Sequence, residues 1–382
     1  MNGFVWAPEA RLFDGVGLEY FRLESIGSTI AERPAGVAVA QAMAAGSFRI
    51  GGAGPGPSVG FETLTSGSSG APRRIARSFA SWTASFAVNR ELFVIGPGVA
   101  LAVLGRLTQS LALYGALEGL HLGASVHLLD DLRPDRQAGV LAARRVEVLY
   151  ATPVQLRLLV EAGVVLPGLR LVLVGGAKLD LGLRAGLRRV APSAEVREFY
   201  GAAEASFITL SDCYTPQDSV GRAYPGVEIS VEAGEIWLRS PYVFQGYAGD
   251  DPGGAVWQDG WLSLGERGEM RDGWLYLHGR AGRMVTVADQ NVFPEEIEVY
   301  LQGLDGVRRV AVLPVAEALR GSHLVAFVQG DVGREAAILA AVRARLGVLK
   351  SPKRLIWLQE WPELASGKTD LLALQREVGS WR

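Results

Sequence analysis

Between residues 98 and 200, short β-like runs alternate with helix-like ones, and this alternation restricts the fold more than any other feature of the chain. Residues 99–104, 111–120, 125–129 and the helical 136–145 lead to 146–151, the helical 154–162, and 171–174. The last of these runs into Gly175-Gly176 before helical spacing resumes over 181–190. Strands separated by helices assemble into a parallel sheet, because each return crossover needs a dozen or more residues. Strand ends that run into glycine in such a sheet face ligands. From 227 to 277 the pattern changes to short strands punctuated by Ala233-Gly234, Asp259-Gly260 and Asp272-Gly273, which predict antiparallel hairpins or a small barrel. After Arg283, a helix at 294–301, strands at 307–314 and 323–328, and a helix near 334–346 predict a separate α+β unit. The expected class is α/β. A large body of mixed and parallel sheet with helices and a small antiparallel sheet spans residues 1–282, and a small α+β unit spans 283–382.

Composition excludes several functional classes. The chain has 382 residues, 49% hydrophobic and 20% charged, which suits a globular protein with a large core. Its net charge is −2 and its Lys and Arg are scattered, so nucleic acid is not expected as the main partner. The single cysteine, Cys213, allows no internal disulfide, and no basic segment followed by an apolar stretch opens the sequence; a cytoplasmic location is expected. The apolar stretch 92–129 is interrupted by Arg106, Glu118 and several glycines before it reaches the ~18 uncharged residues of a membrane helix, and reads as buried core. The Gly/Pro-rich stretch 51–57 reads as a link between an N-terminal segment and the body.

The segment Thr65-Ser66-Gly67-Ser68-Ser69-Gly70-Ala71-Pro72-Arg73-Arg74 concentrates small hydroxyls, glycines and cations. Gly67 and Gly70 allow backbone amides to approach an anion, the serines add donors, and Arg73 or Arg74 adds charge. The segment lacks the GxxxxGK[ST] spacing of a P-loop, so a Ser/Gly-rich surface turn is an equal reading of these residues taken alone.

Five further motifs follow it in order. They are Phe199-Tyr200-Gly201-Ala202-Ala203-Glu204, Gly234-Glu235-Ile236-Trp237-Leu238-Arg239-Ser240-Pro241, Gly260-Trp261-Leu262-Ser263-Leu264-Gly265-Glu266, Gly279-Arg280 and Gly367-Lys368. From Thr65 to the C-terminus the series resembles the adenylate-forming superfamily of acyl- and aryl-CoA synthetases, and within it a short hydroxycinnamate (para-coumarate)-CoA ligase of phenylpropanoid chemistry. The resemblance implies two steps: a carboxylic acid and ATP give an acyl-AMP and pyrophosphate, and the acyl group then passes to the thiol of CoA. ATP, Mg²⁺ and CoA are the implied cofactors.

Carried onto matching positions, the resemblance assigns Thr65, Ser66, Gly67, Ser68, Ser69, Gly70 and Arg73 to the phosphates. It assigns Gly176 and Ala177 to the adenine edge, Tyr200 and Gly201 to the adenine face, and Glu266 to the ribose hydroxyls. Glu204 becomes the magnesium ligand, Arg280 a contact to ribose or phosphate, and Lys368 the ammonium that neutralises the reacting carboxylate and α-phosphate. Gln109, Tyr114, Gly175, Phe199 and Ala202 match the acid pocket, with Phe86 and Phe207 as further aromatic walls. Arg283 falls at the hinge about which the C-terminal unit moves as a lid. Donors and cations around the phosphates are what an attack of one anion on another requires.

Departures from the family pattern open other readings. The segment before the phosphate loop is short, so an N-terminal subdomain is expected to be shortened or replaced by the first sixty-odd residues, with homodimerisation as one way to cover an exposed face. Glu266 stands in place of Asp, Gln109 in place of His, and Asp289 where glycine commonly lines the thiol tunnel. Three functions therefore stand together: an aromatic acid:CoA ligase, an adenylating enzyme that loads the phosphopantetheine of a carrier protein, and a non-catalytic nucleotide-binding interaction protein.

Overall fold

A computed structural model describes residues 3–24, 27–52, 54–64, 73–249, 253–287, 290–317, 321–364 and 368–379. The body is organised by a nine-stranded sheet in the order Arg222–Ala223, Ser206–Leu210, Glu195–Ala202, Leu171–Val174, Val148–Ala151, Ala100–Val103, Ser125–Leu128, Arg11–Phe13, Glu19–Tyr20. The run from Glu195–Ala202 to Arg11–Phe13 is parallel, and the outer pairs are antiparallel. Val148–Ala151 and Leu171–Val174 are buried at every position, as strands covered on both faces must be. Their period of two divides the body into two cores. Val148, Tyr150, Leu171 and Leu173 face the helices Phe79–Phe93 and Ser110–Leu122. Leu149, Ala151, Val172 and Val174 face Pro134–Ala143, Pro153–Ala162 and Leu181–Val190.

The helix boundaries follow local chemistry. Thr152 and Gln155 form a reciprocal capping box at the start of Pro153–Ala162, and Gly163 at φ 70° ends it. The three turn dipeptides expected from sequence all adopt consecutive positive φ: Ala233-Gly234 at 47° and 78°, Asp259-Gly260 at 48° and 80°, Asp272-Gly273 at 51° and 78°. Such turns match the right-handed twist of the hairpins they close, here in the antiparallel sheet of Glu228–Glu232, Glu235–Arg239, Trp261–Arg271, Val256–Gln258 and Trp274–Arg280.

The first sixty residues are integrated into the body. Arg11–Phe13 extends the parallel sheet beside Ser125–Leu128. Thr29–Ile30 and Ser47–Ile50, joined by the helix Ala35–Ala44, complete a third sheet with Gly60–Leu64, Arg74–Arg77 and Gly246–Tyr247. Strands of two to four residues carry too little period to be read from sequence. The C-terminal sheet, with strands Gln290–Val292, Val285–Val287, Gly321–Gly330, Val307–Glu317 and Leu355–Trp357, packs around cores drawn from Val287 onward. Among the described residues no helix is long and apolar enough to cross a membrane.

Candidate active site

A cleft of about 1320 Å³ opens where the C-terminal ends of the parallel strands meet the third sheet and the C-terminal unit. Thr152 and Gly175-Gly176, which directly follow their strands, line it, as expected of an open α/β sheet. Gly176 has φ 97°, a conformation that favours glycine, and a Cβ on Gly175 would collide with the Phe199 ring. Ala177 and Tyr200 are not among the lining residues. Tyr200 pairs with Thr209 and packs, half-buried, against the body core, while its strand neighbours Phe199 and Gly201 line the cleft. The strand alternation that brings those two to the cavity removes Tyr200 from it.

Glu204 enters the cleft from the turn between Glu195–Ala202 and Ser206–Leu210. Its carbonyl accepts from the Phe244 amide at 2.7 Å, and its Oε1 accepts from the Tyr247 hydroxyl at 3.2 Å. Arg73 also lines the cleft, with its guanidinium 5.8 Å from the Tyr247 ring centroid. Residues 65–72, which include Thr65, Ser66, Gly67, Ser68, Ser69 and Gly70, lie outside the described residues, as do Asp289 and Gly367.

Lys368 reaches the same cleft from the C-terminal unit. The Leu364 amide donates to its carbonyl at 2.8 Å, and Glu363 bridges Thr369, so backbone pairing anchors the residue that carries the side chain. Burial pushes the ammonium below its ordinary value, Arg280 adds to that, and Glu204 and Glu266 oppose it. Glu266 and Arg280 are cross-strand partners, with the guanidinium Nε 3.3 Å from Oε1. Burial raises the Glu266 carboxyl, Arg280 and Lys368 hold it down, and Oε2 has no hydrogen-bond partner among the described residues. A buried acceptor left open beside two cations suits a ligand hydroxyl.

Part of the cleft lining is aromatic and apolar. Trp82, Phe207 and Tyr114, all buried, line the cleft with Phe199, Leu111, Gln109 and Ala202. Tyr114 lies 5.1 Å from Trp82 and 5.5 Å from Phe207 in edge-on contacts. Its hydroxyl is not open to a substrate: it sits 2.7 Å from the Ser85 hydroxyl and accepts from Asn89 at 3.2 Å. Asn89 also donates to Glu118 at 2.7 Å and accepts from Tyr224 at 2.6 Å, and Tyr150 donates to the other Glu118 oxygen. Phe86 is fully buried in the body core and is not among the residues that line the cleft.

Arg283 lines the cleft but is not a plain linker residue. It holds both Glu298 oxygens, at 3.1 and 2.7 Å, approaches Glu295 at 3.4 Å and donates to the Val312 carbonyl at 3.0 Å. Sequence reading also passed over Arg77, whose guanidinium is wholly buried behind Glu204. The signal was present: in Arg74-Ile75-Ala76-Arg77 a period of two places Arg77 inward with Ile75.

Residues 61–248 match the family model of AMP-binding enzymes, and residues 296–368 match that of the AMP-binding enzyme C-terminal domain. The chain belongs to the AMP-binding enzyme family. This AMP-binding enzyme is 30% identical over 324 residues to a protein of Bacillus subtilis (strain 168) named uncharacterized acyl–CoA ligase YhfT, covering 80% of this chain and 66% of YhfT. It is 28% identical to the putative long chain fatty acid–CoA ligase VraA of Staphylococcus haemolyticus, covering 80% and 67%. The chain thus spans about two thirds of the length of these curated relatives. Among solved structures, the amide bond synthetase McbA of Marinactinospora thermotolerans superposes with a TM-score of 0.73 at 25% identity, over 92% of this chain and 80% of McbA.

Proposed function

We propose that this enzyme is an AMP-forming carboxylic acid:CoA ligase that activates an aromatic acid, up to the size of a hydroxycinnamate, as its acyl-AMP. One observation carries the reading: Lys368 of the C-terminal unit shares a cleft with Glu204, Arg280 and Gly175-Gly176 of the body and with the aromatic side chains of Trp82, Phe199 and Phe207. An acid seated with its ring against Phe199, Phe207 and Trp82 presents its carboxylate towards Lys368. The ammonium and Arg280 offset the charge that accumulates as the carboxylate oxygen bonds to the α-phosphorus and pyrophosphate leaves. The open oxygen of Glu266 accepts from the ribose. Glu204 is the hard oxygen ligand that would hold Mg²⁺ together with substrate phosphates, and the ion supplies charge neutralisation there.

The aromatic substrate rests on the aromatic lining. Behind Tyr114 is a hydrogen-bonded layer of Ser85, Asn89, Glu118, Tyr150 and Tyr224, and extending an alkyl chain through it leaves buried polar groups unpaired at about 1–3 kcal/mol each. The curated relatives described above are named for acyl and long-chain fatty acids, so the aromatic lining is the point of divergence. The likeness to an amide bond synthetase favours a second reading of the acceptor: an amine, in place of a thiol, takes the acyl group. The test is pyrophosphate release with ATP and Mg²⁺ across aromatic, short-chain and long-chain acids, with CoA, a phosphopantetheinylated carrier protein or an amine as acceptor. Aromatic-dependent release with a CoA thioester as product supports the ligase. An amide or carrier-bound product assigns the other acceptors, and silence with every acid leaves a nucleotide-binding protein.

A further inference from the structure

Arg77 is the largest fully buried charged side chain in the body, with no solvent exposure, and no carboxylate lies within ion-pair distance of it among the described residues. Buried cations without a paired anion are rare because desolvation costs several kcal/mol. The two terminal nitrogens of Arg77 are held by a fan of acceptors, while Nε has no hydrogen-bond partner among the described residues. Nη1 donates to the Ala203 carbonyl, and Nη2 donates to the Ser206 hydroxyl at 2.7 Å and to the Tyr242 carbonyl. The guanidinium carbon lies 5.6 Å from the centroid of the Trp82 ring, which lines the cleft.

The acceptors share a location. Ala203 and Ser206 flank Glu204, and Ser206 holds φ 57°, a left-handed conformation costly for a residue with a Cβ unless its surroundings enforce it. The Tyr242–Tyr247 segment supplies the Tyr242 carbonyl to Arg77, the Phe244 amide to the Glu204 carbonyl and the Tyr247 hydroxyl to the Glu204 carboxylate. Its strand Gly246–Tyr247 pairs with Arg74–Arg77, which begins one residue after Arg73. The strand leaving the 65–74 segment therefore grips the Glu204 turn twice, through Arg77 and through its paired strand.

We propose that Arg77 is a positioning residue that ties the stem of the phosphate-binding segment to the carboxylate of Glu204, so that the metal–nucleotide complex meets both in register. This rests on the ligase reading above. A planar fork reaches three acceptors in fixed directions; an ammonium on a flexible stem does not span them.

The test uses the full chain with Arg77→Met, Arg77→Lys and Ser206→Ala. Mn²⁺ binding in the presence of ATP is counted by electron paramagnetic resonance, and pyrophosphate release is split into kcat and the KM for acid. Loss of one hydrogen bond to a charged group is worth about tenfold. Arg77→Met is expected to weaken Mn²⁺·ATP binding by about tenfold or more and lower kcat, with the acid KM unchanged, and Arg77→Lys to recover part of the loss. Ser206→Ala, which removes one of the three acceptors, is expected to weaken binding by up to about tenfold. A folded Arg77→Met with wild-type Mn²⁺·ATP affinity, or with acid KM rising in step with the loss, overturns the proposal. If Arg77→Met does not fold, Ser206→Ala decides: unchanged affinity overturns it. Wild-type protein that binds Mn²⁺·ATP but releases no pyrophosphate with any acid overturns the ligase reading alone. Wild-type protein that binds no Mn²⁺·ATP overturns both.

Discussion

Glu118→Gln should change the pH dependence of stability. Glu118 is buried on the helix Ser110–Leu122 and faces Tyr114, Asn89, Tyr150 and Tyr224, with no cation among them. Burial raises its pKa from 4.5 to about 7, although hydrogen bonds from Tyr150, Asn89 and Tyr114 pull it down. The folded state therefore holds a proton that the unfolded chain releases between pH 4.5 and 7. The Glu118 contribution is most favourable below pH 4.5, declines as pH rises through that window and is constant above pH 7. The full span corresponds to about 3 kcal/mol. Gln keeps a carbonyl for the Asn89 amide, offers its own amide to the Tyr150 hydroxyl and never ionises. Relative to wild type, Glu118→Gln should gain about 3 kcal/mol between acid pH and pH 8. Urea unfolding at half-unit intervals from pH 4.5 to 8 measures this. Asp130, raised by burial to about 6, and Lys178, lowered by burial to about 8, titrate in both proteins and cancel in the difference. Parallel stability curves for the two proteins would refute the assignment of a neutral, buried carboxylic acid behind the aromatic lining.

Three substitutions test the cleft itself. Lys368→Ala should lower pyrophosphate release by about a hundredfold or more while sparing transfer to CoA from a supplied acyl-AMP, and loss of both half-reactions sinks its role in adenylation alone. Glu204→Ala should raise the Mg²⁺ concentration needed for half-maximal release by about tenfold without changing the acid KM. Glu266→Gln should raise the KM for ATP by about tenfold; equal effects with 2′-deoxy-ATP and 3′-deoxy-ATP as with ATP would mean that the carboxylate does not read the ribose.

The sequence made the parallel sheet legible because its strands are flanked by long helices whose periods differ clearly, and 171–174 and 181–190 were read to the residue. The hairpin turns were legible because Gly, and Asp before it, adopt positive φ readily, whereas Ala233 at φ 47° is held there by the hairpin it closes. The first sixty residues were not, since strands such as Glu19–Tyr20 and Thr29–Ile30 gain their order from neighbours remote in sequence. Lys368, Glu204 and Arg280 were identified by flanking motifs, and their convergence on one cleft is a product of the fold that spacing cannot express. Tyr114 was selected as an aromatic near a pocket motif, but its hydroxyl belongs to Ser85 and Asn89, residues of a helix that no motif marks.

Arg283 shows how packing changes the meaning of a position. Its motif position marks it as the hinge of a rotation that the family resemblance implies, yet four contacts fasten it to Glu295, Glu298 and Val312 of the C-terminal unit. If that unit rotates as the resemblance implies, a residue so bound should travel with it, which would leave the bend to Ala281-Gly282, between the cross-strand pair Glu266–Arg280 and the clamp. Gly282 sits in a single 3₁₀ turn where a Cβ would meet nothing within 4 Å, so the φ near −65° of proline fits the structure as it stands. Gly282→Pro should therefore leave pyrophosphate release within about twofold and slow transfer to the acceptor from a preformed acyl-AMP by about tenfold, because freezing one φ restricts the second arrangement and not the first. Stopped-flow thioester formation measures the second step. An unchanged transfer rate would place the bend elsewhere, and equal slowing of both steps would show that the turn serves only to hold the cleft together.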